Sequence, residues 1–362
     1  MTGSRCRPGR QDGLRRWRRP GLRTGLRRLV TVPLVVLVAA VALIVLLVAV
    51  LTAPLTLVVG RRRRLLRFST FLLLYTLTDL AGAVAACWIW VRCLRPMAGC
   101  SDNARLQNLS YALLGRLLTV LHRAAERLFG LRTQVSPPIP ALGPETSPPL
   151  LVFARHAGPG DSFLLIHALL CGAGLRPQVV LKQFLRWDPC LDVLISRTPH
   201  VFVPSGVDGR TTAAAIGALG MAVGPGQAVV IFPEGGNFTE QRRTRAIAWL
   251  RSNGYPRRAR RAQRQHHVLP PRMPGPLALL DGSAAAHADV VFVTHTGLDR
   301  LDSLTSIWRG VPLREPLTAG WWRVPGSAVP NGRAAQEEWL TQEWAEVDRW
   351  IDEQWQRAAR RT

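Results

Sequence analysis

Lysine is almost missing from this chain of 362 residues: of 47 basic side chains only Lys182 is one. An arginine excess beside many Ala, Gly and Pro reflects a GC-rich genome, so part of the formal charge of +24 is codon history and says nothing of partners. Acidic residues are scarce as well, 23 in all. The imbalance that remains favours anionic surfaces, either phospholipid or nucleic acid. Cysteine is sparse, and Cys6, Cys87, Cys93, Cys100, Cys171 and Cys190 form no C-x-x-C pair, which weighs against zinc and thioredoxin-like chemistry. All six are expected as free thiols facing a reducing cytosol. Aromatic–basic interleaving of the RNA-recognition type is also lacking, so no nucleic-acid partner is expected and no metal site is assigned.

The apolar residues, 48% of the chain, are unevenly placed. Residues 1–28 form a basic tail carrying Arg5, Arg7, Arg10, Arg15, Arg16, Arg18, Arg19, Arg23, Arg27 and Arg28. Residues 29–95 hold two expected membrane segments, about 29–59 and 68–91. The first has no charge from Leu29 to Val59, with Pro33 and Pro54 marking ends or kinks; the second has one, Asp79. A span needs about 20 apolar residues, and a signal-peptide core is only about 7–15 long, so both runs read as anchors. Arginines flank every end, Arg61, Arg62, Arg63 and Arg64 lying between the runs. A tight hairpin would put that cluster outside; the favoured reading keeps both ends of the pair cytoplasmic. The expected location is therefore the cell (inner) membrane, with the globular part on the cytoplasmic side.

Residues 96–149 comprise an amphipathic helix and a Pro-rich linker. Leu106, Leu109, Leu113, Leu117 and Leu121 recur at helical spacing over 104–129, a helix for the membrane surface or for packing on the domain. From residue 150 to 330 short apolar runs alternate with helical stretches. Strands are expected at Leu150–Ala154, Gln178–Leu181, His200–Val203, Ala228–Phe232 and Asp289–Thr294, with helices at Ser162–Cys171 and Thr211–Val223. That alternation implies an α/β domain with a largely parallel sheet flanked by helices. Residues 331–362 hold a C-terminal amphipathic helix striped by Trp339, Leu340, Trp344, Val347, Ile351 and Trp355; its acidic outer face favours packing on the domain over docking on anionic lipid.

Four segments could carry chemistry. Arg155-His156-Ala157-Gly158-Pro159-Gly160-Asp161 leaves a strand and enters a helix, where ligands and catalytic groups collect in α/β sheets. The Gly-Pro-Gly turn can fold Asp161 back on His156, fixing its tautomer and leaving the other nitrogen as a general base. Alternatively Asp161 merely caps the helix. Phe232-Pro233-Glu234-Gly235-Gly236-Asn237 ends a second strand. Leu269-Pro270-Pro271-Arg272 is a rigid loop holding an arginine. Lys182 and Arg186 follow a third strand.

In this order the segments resemble the glycerolipid acyltransferase family with its H-x-x-x-x-D motif, closest to the lysocardiolipin-type branch. The match runs from about Leu150 to Thr294. The resemblance implies that His156 deprotonates an acceptor hydroxyl that attacks a thioester carbonyl, and that Asp161 orients His156. It implies that Glu234 and Gly235 bind the glycerol phosphate, and that Lys182 and Arg186 line the headgroup path. The partners implied are membrane phospholipid and an acyl thioester, acyl-CoA or acyl carrier protein, as co-substrate; no cofactor is required. Two positions depart from the family: Arg155 replaces a frequent Asn, and Gly236-Asn237 replaces Thr-Arg, removing a usual phosphate ligand. Arg272, Arg155 or the Arg242–Arg264 stretch are the candidate substitutes; that stretch is otherwise a solvated loop. His122, His167, His200, His266, His267, His287 and His295 read as structural or surface residues. Two rivals remain: a serine hydrolase using Ser162 of Gly160-Asp161-Ser162, and a catalytically degenerate membrane lipid-binding protein.

Overall fold

The computed structural model describes residues 22–52, 64–93, 102–142, 147–204, 209–283 and 288–360. Most of the basic tail, Pro54, Arg61–Arg63, Cys6, Cys100 and His287 lie outside the described residues.

The chain opens with α1 (Leu22–Leu51) and α2 (Arg64–Cys93). Both are long and apolar enough to cross a membrane, with mean hydropathies of 3.5 and 1.7 over an 18-residue window within each. α1 begins within the basic segment and runs through Pro33 rather than ending there. A long apolar helix tolerates one such interruption where neighbours compensate. α3 (Asp102–Phe129) follows, antiparallel to α2 and packed between it and the domain.

α2 does not stand away from the domain. At one end Arg64 donates to the carbonyls of Val311 and Arg309, both at 3.1 Å. Further along, Phe68 stacks on Trp308 and Phe71 meets Phe129. The Tyr75 hydroxyl donates to Asp188 at 2.5 Å, and Asp79 accepts from the Cys190 amide at 3.0 Å. The one acidic side chain of the second apolar run thus meets the first turn of a domain helix, α4 (Pro189–Ile195), whose N-cap is Asp188. At the other end Gly82 lies so close to this helix that a Cβ would fall 2.5 Å from Cys190 Sγ. The base of α1 is fastened to the same helix: Arg27 and Arg28 both pair with Asp192, at 2.6 and 2.8 Å. Arg64 at the start of α2 and Arg27 and Arg28 near the start of α1 thus all lie against the domain.

The domain is built on a seven-stranded sheet of order β1-β7-β6-β2-β5-β3-β4. The strands are β1 (Thr133–Ser136), β2 (Leu150–Ala154), β3 (Arg176–Lys182), β4 (His200–Val203), β5 (Gln227–Ile231), β6 (Asp289–Thr296) and β7 (Leu317–Val324). All neighbours are parallel except β6 and β7. β1 and β7 were not expected from the sequence. β1 is a short strand whose residues are mostly exposed, and β7 interrupts its apolar pattern with Gly320. That glycine is required: a Cβ there would lie 2.6 Å from the Trp350 ring.

Every residue of β2 is buried, as suits a central strand covered on both faces. Leu151, Phe153, Val229, Ile231, Val290 and Phe292 face one core. It is completed by α5 (Gly209–Ala222), α6 (Pro274–Ser283) and α7 (Arg333–Ala359), whose Leu340, Trp344, Val347 and Ile351 are fully buried. Leu150, Val152, Val230 and Val291 face the opposite core, under α8 (Asp161–His167) and its π-helical continuation Ala168–Gly172. The Arg242–Arg264 stretch is not a loop. It forms α9 (Glu240–Ser252) and α10 (Pro256–Arg264), started by the Thr239 side chain accepting from the Arg242 amide and by Pro256 in the first turn. A last helix, α11 (Leu304–Gly310), carries Trp308. The described cysteines, Cys87, Cys93, Cys171 and Cys190, are free thiols.

Candidate active site

The carboxyl ends of β2, β3, β5 and β6 converge on one edge of the sheet. β2 delivers His156 there, and the turn after it returns Asp161 to the imidazole. Gly160 makes the return possible with φ +83°, a conformation that costs a residue with a Cβ about 1–2 kcal/mol. Both carboxylate oxygens of Asp161 lie 2.9 Å from His156 Nδ1. Oδ2 also accepts from the amides of Ala157 and Gly158, and Oδ1 from the amide and hydroxyl of Ser162. Gly160, not Asp161, is the N-cap of α8. Burial pushes the Asp161 pKa up, but the bonds from His156 and then His295, with their charges, outweigh it. The carboxyl is held far below the usual carboxylate range. An ionised Asp161 accepting at Nδ1 makes Nε2 the proton-accepting nitrogen. That nitrogen has no partner among the described residues, and the ring rests on Phe232 at 4.8 Å.

Ser162 Oγ donates to Asp161 Oδ1 at 3.1 Å, while His156 turns its Nδ1 to the same carboxylate. No base is therefore set against Ser162, and the serine-hydrolase alternative loses its nucleophile.

Arg155 does not face the ligand space. It is 1% exposed, and its guanidinium donates to the carbonyls of His267 and His295 while pairing with Asp299. It ties together the ends of β2 and β6 and the loop after α10. This corrects its candidacy as a phosphate ligand. His295, read from the sequence as structural, comes within 3.5 Å of Asp161 through Nε2 and is the site residue that sequence reasoning missed. No nearby motif marks it, because its proximity arises only from the pairing of β2 with β6.

Glu234 also points inward. It is 3% exposed, and its oxygens close no hydrogen bond in the described structure. Burial raises its pKa well above the ordinary value, against the pull of Arg155 and the nearby amides of Leu269 and His156. The turn itself is open to ligands. Gly235 has φ +69°, and a Cβ there would lie 2.9 Å from Arg272 Nε. A Cβ on Gly236 would lie 3.3 Å from Arg242 Nη1 and 3.4 Å from Lys182 Nζ. Lys182, Arg242 and Arg272 thus converge over two glycines. Burial, then the charges of Arg242 and Arg272, lower the Lys182 pKa. Arg242 was visible in sequence only as one arginine among nine. Its first-turn position on α9 and its bond to the Asn237 carbonyl at 2.9 Å bring it over the gap left by the missing motif arginine. Arg186 parts company with Lys182: its guanidinium lies over the Phe202 ring at 4.3 Å, near Arg27 and Arg28.

An apolar cavity of about 140 Å³ opens beside Asp161 and His295. Asp161 and His295 line it at the carboxyl edge, and Leu150 and Leu175 at the amino edge, so it follows the full length of β2. Val135 of β1 and Leu317, Ala319 and Trp321 of β7 supply its outer wall.

Residues 136–273 match the family model described as Acyltransferase. The matched stretch contains His156, Asp161, Glu234, the glycine turn and Arg272. A crystal structure of the 1-acyl-sn-glycerophosphate (LPA) acyltransferase PlsC from Thermotoga maritima is similar over 79% of this chain and 97% of that one, at 16% identity and a TM-score of 0.45. No curated protein matches the chain.

Gly235→Ala should lower stability by about 1–2 kcal/mol from the left-handed backbone alone. It should also displace the Arg272 guanidinium. A melting curve and the acceptor dependence of the rate read the two effects separately; a variant unchanged in both would show that Arg272 has no fixed seat on the turn.

Proposed function

We propose that the domain transfers a fatty acyl group from a thioester, acyl-CoA or acyl carrier protein, to the free hydroxyl of a lysophospholipid, with 1-acylglycerol-3-phosphate as the model acceptor. The observation that carries this reading is the His156–Asp161 pair, with an apolar cavity bordering Asp161 and a cationic trio over the glycine turn that ends β5. His156 Nε2 takes the hydroxyl proton, the hydroxyl oxygen forms a bond to the thioester carbonyl carbon, and the C–S bond breaks. The proton on His156 then passes to the departing thiolate. Asp161 stays ionised and stabilises the imidazolium between those transfers. An acyl chain fits the cavity along β2. The acceptor phosphate fits Lys182, Arg242 and Arg272, whose mutual repulsion an anion relieves, and the two glycines let its oxygens approach the backbone. The membrane-length helices support membrane association; in this proposal the domain lies on the cytoplasmic side of the cell membrane. The Phe232–Thr239 run and the Leu269–Arg272 loop support the lysocardiolipin-type branch.

Purified protein given radiolabelled acyl-CoA, or acyl carrier protein, with a panel of lysophospholipids tests the reaction. Failure to acylate any of them would favour the lipid-binding alternative. Arg242→Ala and Arg272→Ala should each raise the KM for a phosphate-bearing acceptor by roughly 10–100-fold, the equivalent of a hydrogen bond to a charged group. The KM for an uncharged monoacylglycerol should hardly move. Arg272→Lys keeps the charge but loses the planar fork, so it should recover part of the loss. Equal effects on both acceptors would put the phosphate elsewhere.

A further inference from the structure

α9 and α10 pack on each other through Ile247, Leu250, Ala259 and Ala262. The fold uses four of the nine arginines in this hairpin. Arg242 stands over the glycine turn, Arg243 bonds Glu240 and the carbonyls of Gln263 and Gln265, and Arg258 and Arg261 pair with Glu337 and Glu338. Arg245, Arg251, Arg257, Arg260 and Arg264 are exposed and have no partner among the described residues. From Gln241 to Leu280 the sequence holds no acidic residue that could reach them locally. Among these arginines stand two exposed aromatics, Trp249 at 58% and Tyr255 at 44%, stacked at 6.1 Å.

Unpaired arginines around an exposed Trp–Tyr pair suit a boundary where one side is anionic and the other apolar. Trp and Tyr favour the headgroup level of a bilayer, and arginines beside them are drawn to anionic lipid. Placement in the fold agrees. α9 follows β5 beyond its carboxyl end. α2 is seated on α4, which follows β3, and on α11, which follows β6. Both features therefore belong to the sheet edge that carries His156. We propose that the α9–α10 surface is a second membrane contact, lying on the headgroups of an anionic bilayer and holding Lys182, Arg242 and Arg272 at headgroup depth. The inference rests on the reading that the acceptor is a membrane lipid.

The full chain is reconstituted in nanodiscs of phosphatidylcholine alone or with phosphatidylglycerol, using lipids brominated on the acyl chain. The fluorescence of wild type minus that of Trp249→Phe isolates one tryptophan. Trp249 should be quenched in the anionic discs and largely unquenched in the zwitterionic ones. The variant Arg245→Gln/Arg257→Gln/Arg260→Gln/Arg264→Gln should lose that quenching and keep its melting temperature, because these side chains bond nothing in the fold. Absent quenching in anionic discs, or equal quenching in both compositions, would overturn the proposal. So would shielding of Trp249 from an aqueous quencher only on addition of an acidic carrier protein or RNA, which would identify a macromolecular partner instead. Quenching needs no turnover, so it stands or falls apart from acyl transfer. Acylation of a micellar acceptor, measured with the same quadruple variant, should be unchanged.

Discussion

His156→Ala should reduce acyl transfer by roughly 10²–10⁴-fold, the usual contribution of a positioned general base. The loss should fall on the rate at saturating acceptor, because the histidine touches the reacting hydroxyl and not the phosphate subsite. Removal of the ring takes one hydrogen bond from Asp161 but leaves those from Ala157, Gly158 and Ser162. Stability should therefore fall only by what one hydrogen bond to a charged group contributes, about 1.5–3 kcal/mol. Steady-state kinetics beside a thermal melt decides the matter: activity within a few-fold of wild type would end the assignment of His156 as the base.

Asp161→Asn should be nearly as damaging, and for two separable reasons. The amide cannot stabilise the imidazolium, and it presents an NH2 group where every neighbour is a donor. Both oxygens accept in the native structure, from His156, two backbone amides on one side, and Ser162 on the other. An asparagine must turn its NH2 toward one set, leaving buried donors unpaired at about 1–3 kcal/mol. A helix-capping role alone predicts that Asn substitutes with little loss. The depressed pKa adds a pH signature. A carboxylate held below its unfolded value adds stability above about pH 4, the unfolded range, and loses it as pH falls toward the folded pKa. The difference in stability between wild type and Asp161→Asn should thus be full at neutral pH and shrink below about pH 4. A difference that stays constant through the acid range would mean that Asp161 is not held as a buried carboxylate.

The central strands were legible because burial on both faces leaves continuous apolar runs: Leu150–Ala154 and the body of β5 read directly from sequence. The His156–Asp161 pairing was legible because its geometry is local, a five-residue return over a Gly-Pro-Gly turn. What sequence did not disclose depends on long-range assembly. His295 meets Asp161 only through the β2–β6 register, and the cavity wall needs β1 beside β7, strands too short or too interrupted to announce themselves. Arg155 looked like a ligand because an arginine beside a catalytic motif is chemically apt; its burial follows from carbonyls contributed by residues 112 and 140 positions away. Arg242 was hidden by abundance, one arginine in a run where composition erases the signal of any single member.

The seating of α2 on α4 sets an order on the making of the protein. Asp79 and Tyr75 are synthesised 111 and 113 residues before the partners that receive them. At about 5–20 residues per second that interval is on the order of 5–20 s. On the proposed reading the two apolar helices reach the bilayer within that interval, while Asp79 has neither partner and a lone carboxyl is unfavourable in hydrocarbon. Docking of α2 then waits for the domain that supplies Asp188 and Cys190, so the order would be membrane first and active site second.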